Sequence, residues 1–102
     1  MAVINEKFLI NTRGFTDIID ITQKVKSVLY NHTIKNATII VALAGSTAGI
    51  TTIEYEPGLI KDLPAILDDI APMDRNYHHD DTWHDGNGCA HFRAALLGST
   101  VT

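Results

Sequence analysis

The longest apolar run in the chain is ATIIVALA, residues 37–44. Eight residues are too few to cross a bilayer, because a membrane-spanning helix needs about 20. Half of the run is β-branched, a side-chain type that packs well on a pleated sheet. The run therefore predicts a central β-strand that is buried on both faces. A chain of 102 residues is long enough to fold around such a strand as a single domain, residues 1–102.

Apolar residues at helical spacing predict helices on either side of this strand. The first helix covers residues 23–31 and follows Thr22, whose hydroxyl suits a helix N-cap. The second has Pro57 in its first turn, an apolar stripe from Leu59 to Ile70, and its end at Pro72. Pro64 lies inside it and is expected to kink it, because proline has no N–H to donate to the preceding turn. A third, short helix is predicted over residues 90–97.

Two further patterns predict strands. Residues 7–11 and 15–21 flank a turn at Arg13 and Gly14, an arrangement that is typical of a hairpin. Residues 50–55 are predicted to form a strand after the glycine-rich segment that follows the central strand. The expected fold class is therefore α+β, with a mostly antiparallel sheet and two or three helices.

Charge and cysteine content limit the expected partners. The chain has 12 acidic and 8 basic side chains, a formal net charge of −4 at pH 7, and its lysines and arginines are scattered singly. Without a basic patch to neutralise phosphate groups, neither nucleic acid nor a membrane surface is an expected partner. Cys89 is the only cysteine, so no internal disulfide can form and a reducing, cytoplasmic location is expected.

Four of the five histidines lie in one segment, YHHDDTWHDGNGCAHFRAALLG, residues 77–98. The first half of this segment has no apolar period and is predicted to be a loop. Neutral imidazoles are common ligands of divalent metals, and three of them with one open position make a catalytic metal site. We expect a divalent ion, zinc or magnesium, on His79, His84 and His91. The alternative is a polar surface loop with solvated histidines.

A second polar segment, GSTAGITT at residues 45–52, follows the central strand. Its glycines let the backbone approach a ligand, and its amides and hydroxyls can hold a phosphate group. Ser46 and Thr47 are the candidate contacts, and Arg93 is a third because a planar guanidinium matches phosphate geometry. A small phosphorylated molecule is therefore an expected partner. The alternatives are a simple hairpin turn for residues 45–52 and an ordinary surface arginine at position 93.

These two polar segments, GSTAGITTIEYEPGLIKDL and YHHDDTWHDGNGCAHFRAALLG, resemble the YjbQ family of secondary thiamine-phosphate synthases. The resemblance implies an α+β fold with a mostly antiparallel sheet, assembled as a homotrimer. It also implies an activity, the transfer of a pyrimidine-methyl group from its diphosphate to a thiazole phosphate. The alternatives are a non-catalytic metal- or phosphate-binding module, and a structural subunit whose site has decayed.

The resemblance also assigns residues to the site. The family's second histidine matches His79, and its Ala-His pair matches Ala90 and His91. Its acidic-asparagine stretch matches residues 85–87. The residues that the resemblance assigns to catalysis are therefore His79, Asn87 and His91.

Two departures from the family pattern affect this assignment. Residues 45–48 match a His-Thr-Thr-Ala motif, but Gly45 stands in place of the histidine. We hypothesise that His84, where many members have glycine, supplies the missing imidazole from a different backbone position. The sequence also ends at Thr102, before the closing strands that family members typically carry, so those strands are expected to be absent.

Overall fold

Four helices and a two-stranded antiparallel sheet make up the regular structure of residues 2–102, the part of the chain that the computed structural model describes. The chain is therefore α+β, as predicted, with four helices in these residues and not two or three. The residues fall into two compact units. The N-terminal unit runs through Ala37 and the C-terminal unit spans Thr38–Thr102.

The N-terminal unit contains the helix α1 (Thr22–Asn31). Its position was predicted, but its start differs from the prediction because Thr22 does not cap it. The carboxylate of Asp20 instead accepts hydrogen bonds from the Thr22 N–H at 2.9 Å and from the Thr22 hydroxyl at 2.6 Å. After the helix, the His32 ring contacts the Glu6 carboxylate at 2.7 Å.

The hairpin predicted for residues 7–11 and 15–21 does not form, because neither range contains a strand. The turn after Arg13 is present, but it does not end at Gly14. Phe15 and Thr16 also have positive φ angles, 44° and 63°. A strand needs extended backbone at these positions, so the left-handed residues prevent the second strand from starting where the alternation predicts it.

The sheet of the C-terminal unit joins two short strands, β1 (Val41–Ala42) and β2 (Thr100–Val101). Val41 pairs with Val101 and Ala42 with Thr100 in an antiparallel register. One hydrogen bond extends the pairing, since Leu43 N–H donates to the Ser99 carbonyl at 2.9 Å. Beyond the bend that follows β1, Ile50 N–H donates to the Gly98 carbonyl, also at 2.9 Å.

The prediction that residues 37–44 form a strand buried on both faces is wrong in extent. Only Val41 and Ala42 pair, and Ile40 is 67% exposed. The predicted strand at residues 50–55 is also irregular, with only Ile50 buried. Within residues 2–102 the sheet has two strands, so each strand has a hydrogen-bonding partner on one side only.

The helix α2 (Pro57–Ile70) begins at Pro57 and ends before Pro72, as predicted. Glu56 caps it, because its carboxylate accepts from the N–H groups of Gly58 and Leu59. Pro57 occupies the first turn, where its missing N–H has no cost. The helix runs unbroken through Pro64, and the expected kink there stays a prediction.

The core of the C-terminal unit draws on α2, on the residue that follows it, and on the helix α4 (Gly88–Leu97). Its buried apolar residues are small or medium in size: Ile50, Leu67, Ala71, Cys89 and Ala94. Asn87 and Gly98 flank α4, as predicted. No helix within residues 2–102 is long and apolar enough to span a bilayer.

Candidate functional site

The histidine-rich segment begins with the helix α3 (His78–Trp83). The predicted loop is therefore wrong for these residues. A six-residue helix spans less than two turns, and most of its side chains are exposed, so it shows no apolar period. Asp80 and Asp81 lie in the first turn, where negative charge stabilises a helix N-terminus.

Asp80 connects α3 to the start of α4. Its carbonyl accepts from the N–H of His84, which caps α3 in the left-handed conformation at φ 58°. Its carboxylate accepts from the N–H of Gly88 at 2.9 Å. A Cβ atom on Gly88 would lie 2.6 Å from the Tyr77 Cβ, so glycine is needed for α4 to begin this close to α3. These contacts place His79 beside α4.

His79 and His91 face each other across α3 and α4. Their ring centroids are 4.5 Å apart, and the rings are tilted by 52°. The His79 Nε2 atom lies 3.0 Å from the side-chain amide of Asn87 and 3.5 Å from Oδ1 of Asp85. We call these four residues, His79, Asp85, Asn87 and His91, the histidine cluster. It contains all three residues that the resemblance assigns to catalysis.

The Asn87 amide has a definite orientation in this cluster. One of its two terminal atoms lies 3.0 Å from His79 Nε2 and 2.8 and 3.2 Å from the two carboxylate oxygens of Asp85. A carbonyl oxygen at this position would oppose two acceptor oxygens, whereas an NH₂ group can donate to both Asp85 and His79. The nitrogen therefore occupies this position and donates to Asp85 and to His79 Nε2.

His91 also contributes to a pocket of about 350 Å³. This volume is at the small end of the range for small-molecule sites. The bend after β1 forms one side, and the C-terminal half of α4 forms another. Apart from His91, its lining consists of glycine, alanine and serine, with no lysine or arginine among the described residues: Gly45, Ser46, Ala48, Ala94, Ala95, Gly98 and Ser99.

The three predicted phosphate contacts have different surroundings. Ser46 lines the pocket, and Gly45 beside it has φ 107°, a conformation that favours glycine. Thr47 is exposed and lies outside the pocket lining of the described residues. The alternative that residues 45–52 form a hairpin turn is wrong, because no strand follows at residues 50–55.

Arg93 lies in the interior of the C-terminal unit, with 8% of its surface exposed. Its Nε–H donates to the Ala71 carbonyl at 2.9 Å, and an Nη2–H donates to Asp68 Oδ1 at 2.8 Å. The guanidinium therefore joins α4 to the end of α2. This is a structural role that sequence reasoning did not predict, and phosphate binding by Arg93 stays a prediction.

The expected three-histidine metal site finds no support in the geometry of residues 2–102. No three His, Cys, Asp or Glu side chains in this range come together in a way that would hold a metal ion. His84 is exposed at the end of α3, while His79 and His91 form a pair. His79 Nε2, one of the two atoms that could bind the ion, contacts Asn87.

Sequence reasoning missed two parts of the site. The aspartates of this segment are expected at most to orient an imidazole, whereas the Asp85 carboxylate orients the Asn87 amide. The alanines of α4, Ala94 and Ala95, were not considered as pocket residues. The sequence feature that could have indicated them is their position close to Gly98. Small residues clustered near a helix end allow the backbone of another segment to approach closely.

Comparisons of sequence and of structure with known proteins point to the same family. The family model described as UPF0047 protein YjbQ-like matches residues 6–102. A UPF0047 protein of Methanothermobacter thermautotrophicus is 33% identical over all of this chain and 70% of its own length. The UPF0047 protein YugU of Bacillus subtilis is 29% identical over 89% of this chain and 67% of its own length.

A crystal structure from Clostridium acetobutylicum, described as an uncharacterized conserved protein of the YjbQ/UPF0047 family, has a similar fold. It superposes with a TM-score of 0.72 and 32% identity over 81% of this chain. The match spans 62% of the length of that protein. With the family model covering residues 6–102, the chain belongs to the YjbQ-like UPF0047 family.

Proposed function

We propose that the chain is a thiamine-phosphate synthase-like transferase that acts at the pocket beside His91. The reaction is the transfer of a pyrimidine-methyl group from its diphosphate to the ring nitrogen of a thiazole phosphate. The observation that carries the proposal is the position of His91, which both lines the pocket with Gly45 and Ser46 and lies against His79 in the histidine cluster.

The chemistry requires little proton transfer. The carbon–oxygen bond to the diphosphate breaks and its electron pair leaves with the diphosphate, while the thiazole nitrogen uses its lone pair to form the new carbon–nitrogen bond. The main demand on the protein is therefore to orient two rings and to donate hydrogen bonds to the departing oxygens.

The described residues can meet parts of this demand. The Ser46 hydroxyl and the backbone N–H groups of the bend are donors at the pocket, and Thr47 adds a second hydroxyl nearby. His91 supplies an imidazole that can donate to a phosphate oxygen. In this proposal Asn87 acts on the ring of His79, which packs against that of His91.

The proposal assigns no step to a metal ion. The three-histidine site remains a hypothesis, because the described donor groups do not form such a cluster. Magnesium, if it takes part, would arrive on the diphosphate, since Mg²⁺ keeps several waters and is often bound through substrate phosphates.

A second candidate function is binding of a phosphorylated small molecule without turnover. The charge of the pocket favours it, because the lining residues include no lysine or arginine and the Arg93 guanidinium contacts Asp68 and Ala71. A site that releases diphosphate usually uses positive charge to stabilise the leaving group. This candidate predicts binding of a thiazole phosphate but no product.

The proposed assembly is the homotrimer that the resemblance implies. Two pairs of apolar residues at i,i+4 spacing support an interface on the C-terminal unit: Ile66 with Ile70 on α2, and Phe92 with Leu96 on α4. Each of these side chains is about half exposed in the single chain. Apolar stripes of this kind are typical of surfaces that another subunit covers.

An assay of diphosphate release tests the proposed reaction. The purified protein is mixed with the pyrimidine-methyl diphosphate and the thiazole phosphate, with and without magnesium. The unmodified protein should release diphosphate above background, and His91→Ala should lose at least tenfold because it removes an imidazole from the pocket. His78→Ala is the matched control, because His78 is a fully exposed histidine of α3. No release by the folded, unmodified protein would rule out the transferase, and equal rates for the two variants would rule out the role of His91.

A further inference from the structure

We propose that Asn87, held by Asp85, fixes the tautomer of His79, so that the neutral ring carries its proton on Nδ1. His79 then offers an N–H donor to a ligand, and its Nε2 lone pair is already used within the protein. This reverses the role that the sequence suggested for His79, from metal ligand to hydrogen-bond donor. The inference concerns the state of the free protein, so it holds whether or not the chain catalyses the transfer.

The first step is the orientation of the Asn87 amide. Asp85 presents two acceptor oxygens at 2.8 and 3.2 Å from the amide atom that also contacts His79. A carboxylate has no hydrogen to donate, so only the NH₂ end of the amide forms hydrogen bonds here. Bonds of this type to a charged acceptor are among the stronger ones in proteins. Asp85 therefore acts through Asn87, as a positioning residue.

The second step is the proton on His79. The Asn87 nitrogen lies 3.0 Å from His79 Nε2 and has two hydrogens, so it can donate to Asp85 with one and to Nε2 with the other. An N–H group on Nε2 would instead face the N–H of the amide. Nε2 must therefore be the acceptor, which leaves the proton of the neutral ring on Nδ1.

The third step concerns metal binding. A metal on Nε2 would displace the Asn87 donor. A metal on Nδ1 would move the proton to Nε2, which would turn the amide so that its carbonyl faced the Asp85 carboxylate. Both routes disrupt the contact between Asp85 and Asn87, so Asn87 should oppose metal binding by His79. The partner that suits this arrangement is an oxygen acceptor, such as a phosphate or a carbonyl group.

Nitrogen-15 NMR of the histidine side chains tests the tautomer directly. When the ring is neutral, Nε2 of His79 should have the shift of an unprotonated nitrogen, and Nδ1 should have that of an N–H. The signals are assigned by their loss in His79→Gln. An Asp85→Asn variant should give a mixture of tautomers, because the carboxylate no longer orients the amide. A proton on Nε2 in the unmodified protein, or an unchanged tautomer in Asp85→Asn, would overturn the proposal.

A zinc titration with a competing chelator tests the consequence for metal binding. Asn87→Ala frees the Nε2 lone pair and should bind zinc at least tenfold more tightly than the unmodified protein. The variant should fold, since the Asn87 side chain makes no capping bond to α4, and circular dichroism checks this. Asn36→Ala is the control, because Asn36 is an exposed asparagine of the N-terminal unit.

Weaker zinc binding by Asn87→Ala would have the opposite meaning. Loss of an outer partner that orients a metal-binding histidine typically weakens metal binding 10- to 100-fold. A weaker or unchanged zinc affinity in Asn87→Ala would therefore show that Asn87 does not block His79.

Discussion

Two residues with polar side chains have roles that depend on what surrounds them more than on their chemical type. Arg93 and His79 both looked like ligand contacts in the sequence. In the structure the Arg93 guanidinium contacts Asp68 and the Ala71 carbonyl, and the His79 ring contacts Asn87. The Arg93 contacts join residues that are distant in the chain, and the His79 contact depends on the orientation of the Asn87 amide. Neither kind of contact can be predicted from the spacing of residues in the sequence.

Arg93 gives a prediction about stability. Arg93→Ala removes the hydrogen bonds that this buried charged group donates to the Asp68 carboxylate and the Ala71 carbonyl, and it leaves both acceptors without that donor. We expect the free energy of unfolding to fall by about 2–3 kcal/mol. Urea denaturation measures the change, with Lys61→Ala, an exposed site on α2, as a control expected to change it by less than about 0.5 kcal/mol. Similar values for the two variants would show that the Arg93 contacts do not stabilise the unit.

The elements of the chain were predictable to different degrees. The start of α2 and the end of α4 follow from apolar spacing and from Pro57 and Gly98, because a helix satisfies its own backbone and its limits are local. The start of α4 was predicted less well, because the helix begins at Gly88, two residues before the predicted position. Strands need partners from elsewhere in the chain. Residues 37–44 have the composition of a strand, yet only Val41 and Ala42 pair. Their partner strand β2 is two residues long and offers no partners to the rest of the run.

The same contrast applies to the candidate site. The sequence groups His79 and His91 in one segment, and the structure places their rings together, with Ser46 lining the same pocket as His91. The helical state of His78–Trp83 and the part played by Asp85 were not predictable from the sequence. A helix as short as α3 shows no apolar period in the sequence. The contact of Asp85 with His79 through the Asn87 amide is visible only once the three side chains have coordinates.

The start of α1 gives a prediction about pH. The hydroxyl of Thr22, and then its N–H, donate to Asp20 and hold the pKa of that carboxyl below its usual value of 3.8. The ionised form therefore stabilises the start of α1 above pH 3.8, and this contribution is lost as the pH falls through the lowered pKa. Thr22→Val should move the Asp20 pKa up toward 3.8, as measured by an NMR titration.

Ser27→Ala is the matched control for this titration. Ser27 is also a hydroxyl residue of α1, but it donates to the Gln23 carbonyl and not to Asp20. Its removal should leave the Asp20 pKa unchanged. If Thr22→Val and Ser27→Ala give the same Asp20 pKa, the Thr22 hydroxyl is not the cause of the shift.

At the scale of the whole molecule, the proposed trimer predicts a change in mass on mutation. Phe92→Glu places a charge within the apolar stripe of α4, where burial against another subunit would be costly. We expect the unmodified protein to have the mass of three chains in size-exclusion chromatography with light scattering, and Phe92→Glu to have the mass of one. Ala65→Glu, at an exposed site of α2 outside both stripes, should remain trimeric. A monomeric unmodified protein would contradict the assembly.

For the molecule as a whole, both sequence and fold place the chain in the YjbQ-like UPF0047 family. The family model covers residues 6–102, and the matched crystal structure has the same fold over 81% of the chain. The chain covers 62% of that protein. The proposed activity, partners and assembly rest on the pocket, the histidine cluster and the apolar stripes.

The most direct test of the proposed site is a backbone NMR titration of the nitrogen-15-labelled protein with the thiazole phosphate. Binding in the pocket should shift the amide signals of Gly45, Ser46, His91 and Ser99, which line it. Lys24, on α1 in the N-terminal unit, serves as a reference signal that should stay unchanged. Shifts that centre on other residues, or no shifts at millimolar ligand, would contradict a phosphate-binding site beside His91.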